Sequence, residues 1–122
     1  MSKKLAIISD HIVTPSGIIS GCVIIENGKI TEIDSVLPGD FDGEVDMVRS
    51  NYVMPGLIDP HVHINEPGRT NWEGFETATM AAAASGITLL VDMPLNSAPV
   101  TTNVANFKLK LAATENKLNV NV

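Results

Sequence analysis

The residue types able to do chemistry are concentrated in one run, PGLIDPHVHINEPGRTNWEGFETATMAAAASGIT, at residues 55 to 88. Alternate side chains of an extended chain share a face, so Asp59, His61, His63 and Asn65 would point the same way there. Two imidazoles two residues apart can then close on one ion. Neutral imidazole suits a borderline divalent metal such as zinc, and a nearby acid such as Asp59 can orient a ligand ring through its second nitrogen. A bare His-x-His is a weak signal, because two histidines fall close together on surface loops by chance. Its position here sharpens it: the pair ends an apolar run, and the polar, Gly- and Pro-containing EPGRTN follows at once. His11 has no such setting and reads as a solvated residue after the first strand.

The elements that must position these groups fall into two patterns. Residues 4 to 34 read as short strands, Lys4 to Ser9, Ile18 to Glu26 and Lys29 to Asp34, punctuated by Pro15-Ser16-Gly17 and Asn27-Gly28. Asn-Gly between apolar runs is a strong hairpin signal, since both turn positions need positive φ. An antiparallel β unit is expected, followed by a connecting loop over residues 35 to 46. After Asn51 the order becomes strand, loop, helix, strand, loop, helix, the pattern of a parallel α/β structure. A strand is expected around Leu57 to Val62. Thr70 and Glu73 fit a capping box that opens the helix-prone GFETATMAAAAS, which Gly86 ends. Ile87 to Asp92 reads as a strand buried on both faces, and residues 93 to 102 as a Pro-rich loop. Asn103 to Lys117 has roughly helical spacing, and Leu118 to Val122 begins a further strand. In a parallel barrel, histidines at the end of the Leu57 strand would lie where such folds place their active sites.

Composition excludes several classes of function. With 44% hydrophobic and 18% charged residues among 122, the chain is globular rather than disordered. Its formal net charge is −6 with the Lys and Arg residues scattered, which argues against nucleic acid as a partner. The lone Cys22 lies in an apolar run and reads as a small core residue. No span approaches the ~20 apolar residues of a membrane helix, and the apolar stretch at the N-terminus is too short for a signal peptide, so the expected location is cytoplasmic with no membrane partner.

The run from Pro55 resembles the first metal motif of the cyclic amidohydrolases of the amidohydrolase superfamily, the group of dihydroorotases, hydantoinases or dihydropyrimidinases, and allantoinases. That resemblance covers the whole chain. It implies that residues 1 to 52 form part of a small β-sandwich and residues 53 to 122 the first strands and helices of a (β/α)₈ barrel. It also implies that His61 and His63 are metal ligands, with Asp59 as a supporting partner. The run HVHINEPGRTNWEGFETATMAAAASGITLLVDMPLNSAPVTT is most similar to the allantoinase group, so the implied reaction is hydrolysis of allantoin to allantoate in purine degradation. Dihydroorotases typically have Arg where this chain has Asn65. An amide can bond a ureido or carbonyl group but supplies no charge for a carboxylate, which allantoin lacks. Asn96 aligns with a substrate-contacting Asn of dihydroorotases, and equally it reads as a turn residue between Pro94 and Pro99. Ser85 departs from the family's usual Gly before Gly86.

In the family two divalent ions, here expected to be zinc, acidify a shared water and polarise the ring carbonyl. The bridging lysine, further histidines and the proton-shuttling aspartate lie on later strands, so no catalytic residue is expected within these residues, and Lys108, Lys110 and Lys117 are not the bridging lysine. These residues alone are expected to be inactive, and the full-length enzyme is expected to be a homo-oligomer acting on a small cyclic ureide. The alternatives are a hydantoinase, dihydropyrimidinase or dihydroorotase-like hydrolase, and a non-catalytic partner or scaffold of the same fold.

Overall fold

A computed structural model describes residues 3–122, which divide between Pro55 and Gly56 into two compact units. The first is a sheet of β1 (Lys4–Thr14), β2 (Gly17–Glu26), β3 (Lys29–Asp34), β4 (Glu44–Met47) and β5 (Tyr52–Val53) in the order β3-β2-β1-β4, with β5 also pairing with β1. The β2–β3 hairpin turns at Asn27 and Gly28 with φ of 52° and 77°, the positive values that the Asn-Gly pair predicts. Ala6, Ile12, Cys22, Val23 and Ile24 are its buried apolar residues, and the run 22–24 is covered on both faces of β2.

Two sequence expectations fail in this unit. β1 runs on to Thr14, so His11 lies inside a strand, its ring stacked on Tyr52 with centroids 4.7 Å apart and its Nδ1 buried. The polar Ser9-Asp10-His11 reads as a strand end, and the β1–β2 register shifts there without ending the strand. The Ser9 hydroxyl satisfies the irregularity, accepting from the His11 N–H and donating to the Asn51 carbonyl. The expected 35–46 loop also gives way to β4, which runs parallel to β1 from Leu5↔Glu44 to Ile8↔Met47. Glu44-Val45-Asp46-Met47 does alternate polar and apolar residues, but four residues, exposed throughout and preceded by the loop residues Pro38, Gly39, Asp40, Asp42 and Gly43, are too short a run to stand out as a strand.

The second unit is β6 (Leu57–Val62), α1 (Phe75–Ala84), β7 (Ile87–Asp92) and α2 (Val104–Ala113), with β6 and β7 paired in parallel. This β-α-β order is the α/β pattern read from the sequence. Its core is Ile64, Phe75, Ala82 and Leu90. Gly86 takes φ 81° just after α1 and lets the chain turn directly into β7. The expected burial of β7 on both faces is not met: Leu90 is 4% exposed, whereas Val91 is 43% exposed. Leu118 to Val122 contributes one parallel bridge, Leu89↔Asn121, rather than a strand. Among the described residues no helix is long and apolar enough to cross a membrane.

Both helices begin on side-chain caps. The Asn103 side chain accepts from the Asn106 N–H at 2.9 Å. Asn103→Ala should therefore lower stability by about 1 kcal/mol, read as a shift in the denaturation midpoint, and an unchanged midpoint would show that the cap contributes nothing. The Thr70–Glu73 capping box is not formed. α1 starts at Phe75 after Gly74, and the Thr77 hydroxyl bonds the Gly74 N–H while donating to the Glu73 carboxylate. The N-cap position itself is Gly74, and the carboxylate that accepts the Phe75 N–H is that of Glu66, from outside the helix.

Candidate metal centre

β6 ends at Val62, and from there the chain enters a loop that lies against the loop following β7. Ala98 donates its N–H to the Pro67 carbonyl at 2.8 Å. Gly68, at φ 86°, lies so close that a Cβ would stand 2.2 Å from the Ala98 carbonyl oxygen, which restricts the position to glycine. Arg69 adds a 3.4 Å hydrogen bond to the Asn96 carbonyl while its guanidinium lies 5.1 Å from the Trp72 ring centroid. The two loops are thereby held together at the strand ends.

At this edge the His61 and His63 rings converge, both exposed, with their Nε2 atoms 3.1 Å apart. Two nitrogen ligands about 2.0–2.1 Å from a tetrahedral zinc are separated by roughly 3.3–3.4 Å, so the pair needs little adjustment to share one ion. Without an ion, one Nε2–H would donate to the other Nε2. The donor set therefore fits a divalent metal as part of a shell. Among the described residues no third His, Cys, Asp or Glu joins the pair.

Asp59, His63 and Glu73 line one hollow of about 310 Å³ in this unit. The half-buried Asp59 uses Oδ1 to accept the backbone N–H of His61 at 3.1 Å. That contact shapes the backbone at the histidine pair rather than orienting an imidazole through its second nitrogen. Asn65 is held by its backbone, donating to the Glu73 carbonyl and accepting from the Arg69 N–H. Asn96 is exposed with φ 66°, a conformation that Asn tolerates, as its turn reading requires.

Two ion pairs next to the pair were not found from the sequence. Glu66, 6% exposed, accepts the Phe75 N–H at 3.0 Å and pairs with Lys117, so it caps α1 from outside the helix. A carboxylate at a helix N-terminus is also favoured by the helix dipole. Asp92 and Lys110 form the second pair, Oδ2 to Nζ 2.6 Å, with both side chains nearly excluded from solvent. The available signal was an acid at the end of the β7 run and a lysine on the helix after it, which is too common to single out.

Burial pushes the Glu66 carboxyl up, but the Lys117 ammonium, the Phe75 N–H and the Thr70 hydroxyl more than offset this and leave it below its ordinary value of 4.5. A depressed folded value stabilises the fold above the unfolded value and loses that contribution as pH falls through the folded one. Stability should thus decline as pH drops below about 4.5, and Glu66→Gln should flatten the decline while lowering stability at neutral pH. Melting curves from pH 3 to 7 check this, and parallel profiles for the two proteins would refute it.

The amidohydrolase family profile matches residues 52–122, and that of the allantoinase composite domain matches residues 3–44. The allantoinase of Streptomyces avermitilis is 46% identical over 98% of this chain and 27% of its own. The mitochondrial allantoinase of Aquarana catesbeiana is 48% identical over 98% of this chain and 25% of its own. Among solved structures, the L-hydantoinase (dihydropyrimidinase) of Arthrobacter aurescens superposes with a TM-score of 0.82 at 27% identity, over 98% of this chain and 26% of that one. The chain thus spans about a quarter of the length of the proteins it matches.

Proposed function

Because this chain belongs to the amidohydrolase family, whose members are generally metal-dependent, we propose that it supplies the first metal-binding strand of a cyclic amidohydrolase that opens allantoin to allantoate. The observation that carries the reading is the convergence of His61 and His63 at 3.1 Å, at the end of a strand in a parallel β-α-β unit. In this reading residues 1–52 belong to a flanking β-sandwich and residues 53–122 open a (β/α)₈ barrel. His61 and His63 hold one of two ions, taken to be zinc, and Asp59 fixes the backbone between them. Asn65 and Asn96 face the substrate as neutral hydrogen-bonding groups. When bound, such ions supply an acidified water and a polarised ring carbonyl. The residues present here hold and aim the ligands, and keep two loops together beside them.

Identities of 46% and 48% to proteins named allantoinases, against 27% to one named an L-hydantoinase, support allantoin over other cyclic ureides as the substrate. The hydantoinase reading keeps its place through the superposition alone. Asn65 supports a substrate without a carboxylate. Purified full-length protein should open allantoin with a kcat/KM at least ~10- to 100-fold above that for dihydroorotate, the worth of one charge-assisted contact. Equal values for the two would refute the Asn65 argument, and preference for hydantoin would transfer the assignment to the hydantoinase reading.

A further inference from the structure

β6 ends one residue before His63. The last main-chain bond between the β6 and β7 segments is from the Met93 N–H to the Val62 carbonyl, 2.9 Å. His63 therefore stands beyond the end of the ladder, where a ligand would be expected to wander. The main chain of the next residue, Ile64, is held by side chains instead. Asp92 Oδ1 accepts the Ile64 N–H at 2.8 Å, and Lys110 Nζ donates to the Ile64 carbonyl at 3.1 Å. The other carboxylate oxygen of Asp92 makes no further hydrogen bond and faces the same ammonium at 2.6 Å. One ion pair thus grips both polar groups of one residue. That residue is itself 1% exposed in the core, and Lys110 Nζ also lies 5.8 Å from the Phe75 ring centroid.

Resting on the reading of His61 and His63 as metal ligands, we propose that Asp92 and Lys110 are positioning residues: their ion pair clamps the main chain of Ile64 on both sides and so fixes the direction in which His63 presents Nε2. A buried ion pair gives little net stability over apolar residues of similar volume, because desolvation offsets the attraction. This pair instead directs its remaining hydrogen-bonding capacity at the residue that adjoins a ligand. The supporting groups of metal ligands commonly change metal affinity 10- to 100-fold when removed.

The test uses the full-length protein and zinc alone. Asp92→Leu with Lys110→Met removes the charges and the grip together, and is expected to weaken zinc binding about 10- to 100-fold and to accelerate hydrogen exchange at the Ile64 amide. Asp92→Asn with Lys110→Gln keeps an acceptor and a donor without the charges, and should restore most of the affinity. If the apolar pair does not fold, Asp92→Asn with Lys110→Met differs from the Asn and Gln pair only in lacking the donor, and a loss of at least about threefold relative to that pair is expected. A purely structural role would move the apo melting temperature and leave zinc affinity unchanged, and that outcome overturns the clamp. His61→Ala with His63→Ala is measured beside them. If that variant binds zinc normally, the metal reading fails and the proposed aim fails with it. If it binds none while the apolar pair binds as the wild type does, the clamp alone is refuted.

Discussion

Replacing His61 and His63 together by alanine is expected to strip most of the metal from the full-length protein and to lower kcat by at least ~10³-fold, since the chemistry proposed above would depend on a water acidified by about nine pKa units. The size of the effect comes from where the side chains are. Both imidazoles are exposed and meet each other at 3.1 Å, and they take no part in the core of Ile64, Phe75, Ala82 and Leu90. Their removal leaves no cavity, and exposed substitutions usually change stability by about 0.5 kcal/mol or less. The variant should therefore melt like the wild type while losing metal, which separates a ligand defect from a folding defect. Elemental analysis and kcat measured on one preparation decide it. Unchanged metal stoichiometry with unchanged turnover would remove the pair from the site.

A polypeptide of these 122 residues alone is expected to turn over no allantoin, even with added zinc, and to self-associate. A zinc site that does chemistry usually has three protein ligands, and among the described residues no group of three His, Cys, Asp or Glu side chains comes together. The second unit also leaves much apolar surface open. Its sheet has two strands, and Leu57 at 51%, Ile58 at 60% and Phe107 at 53% face solvent. Phe75, Leu90, Phe107 and Leu111 line an open groove of about 570 Å³. A closed barrel has no free strand edges, whereas here, among the described residues, the outer edge of β6 is unpaired and that of β7 is met only at the Leu89↔Asn121 bridge. Light scattering and binding of a hydrophobic dye should both be high. A soluble monomer with a cooperative melt and measurable turnover would show that the reaction needs far less protein than argued above.

Local chemistry made much of the second unit legible in the sequence. Asn103 bonds its own helix, Gly86 supplies a positive φ where α1 ends, and the apolar runs at 57–62 and 87–92 are strands because each carries its preference within a few residues. The meeting of His61 and His63 belongs with these, since a spacing of two along an extended chain places both rings on one side. The resemblance of the run from Pro55 to a metal motif was legible for the same reason, being continuous in the chain.

Only the tertiary structure decided the rest. Lys117 pairs with Glu66 across a separation of 51 residues, and Lys110 reaches the Ile64 carbonyl across 46. A lysine on a helix reads as a solvated one unless the strand beneath it is known to carry an acid. The Thr70–Glu73 box was a sound local reading, yet it lost the start of α1 to Glu66, whose carboxylate reaches the Phe75 N–H from outside the helix. In the first unit the same limit hid β4, whose pairing comes entirely from β1. It also hid the strand position of His11, where a serine hydroxyl maintains the strand through a register shift. Periodicity and capping are properties of neighbouring residues, so they are written in the chain. A buried charge or an edge strand is stabilised by a distant partner, and only the packing of the elements determines which partner that is.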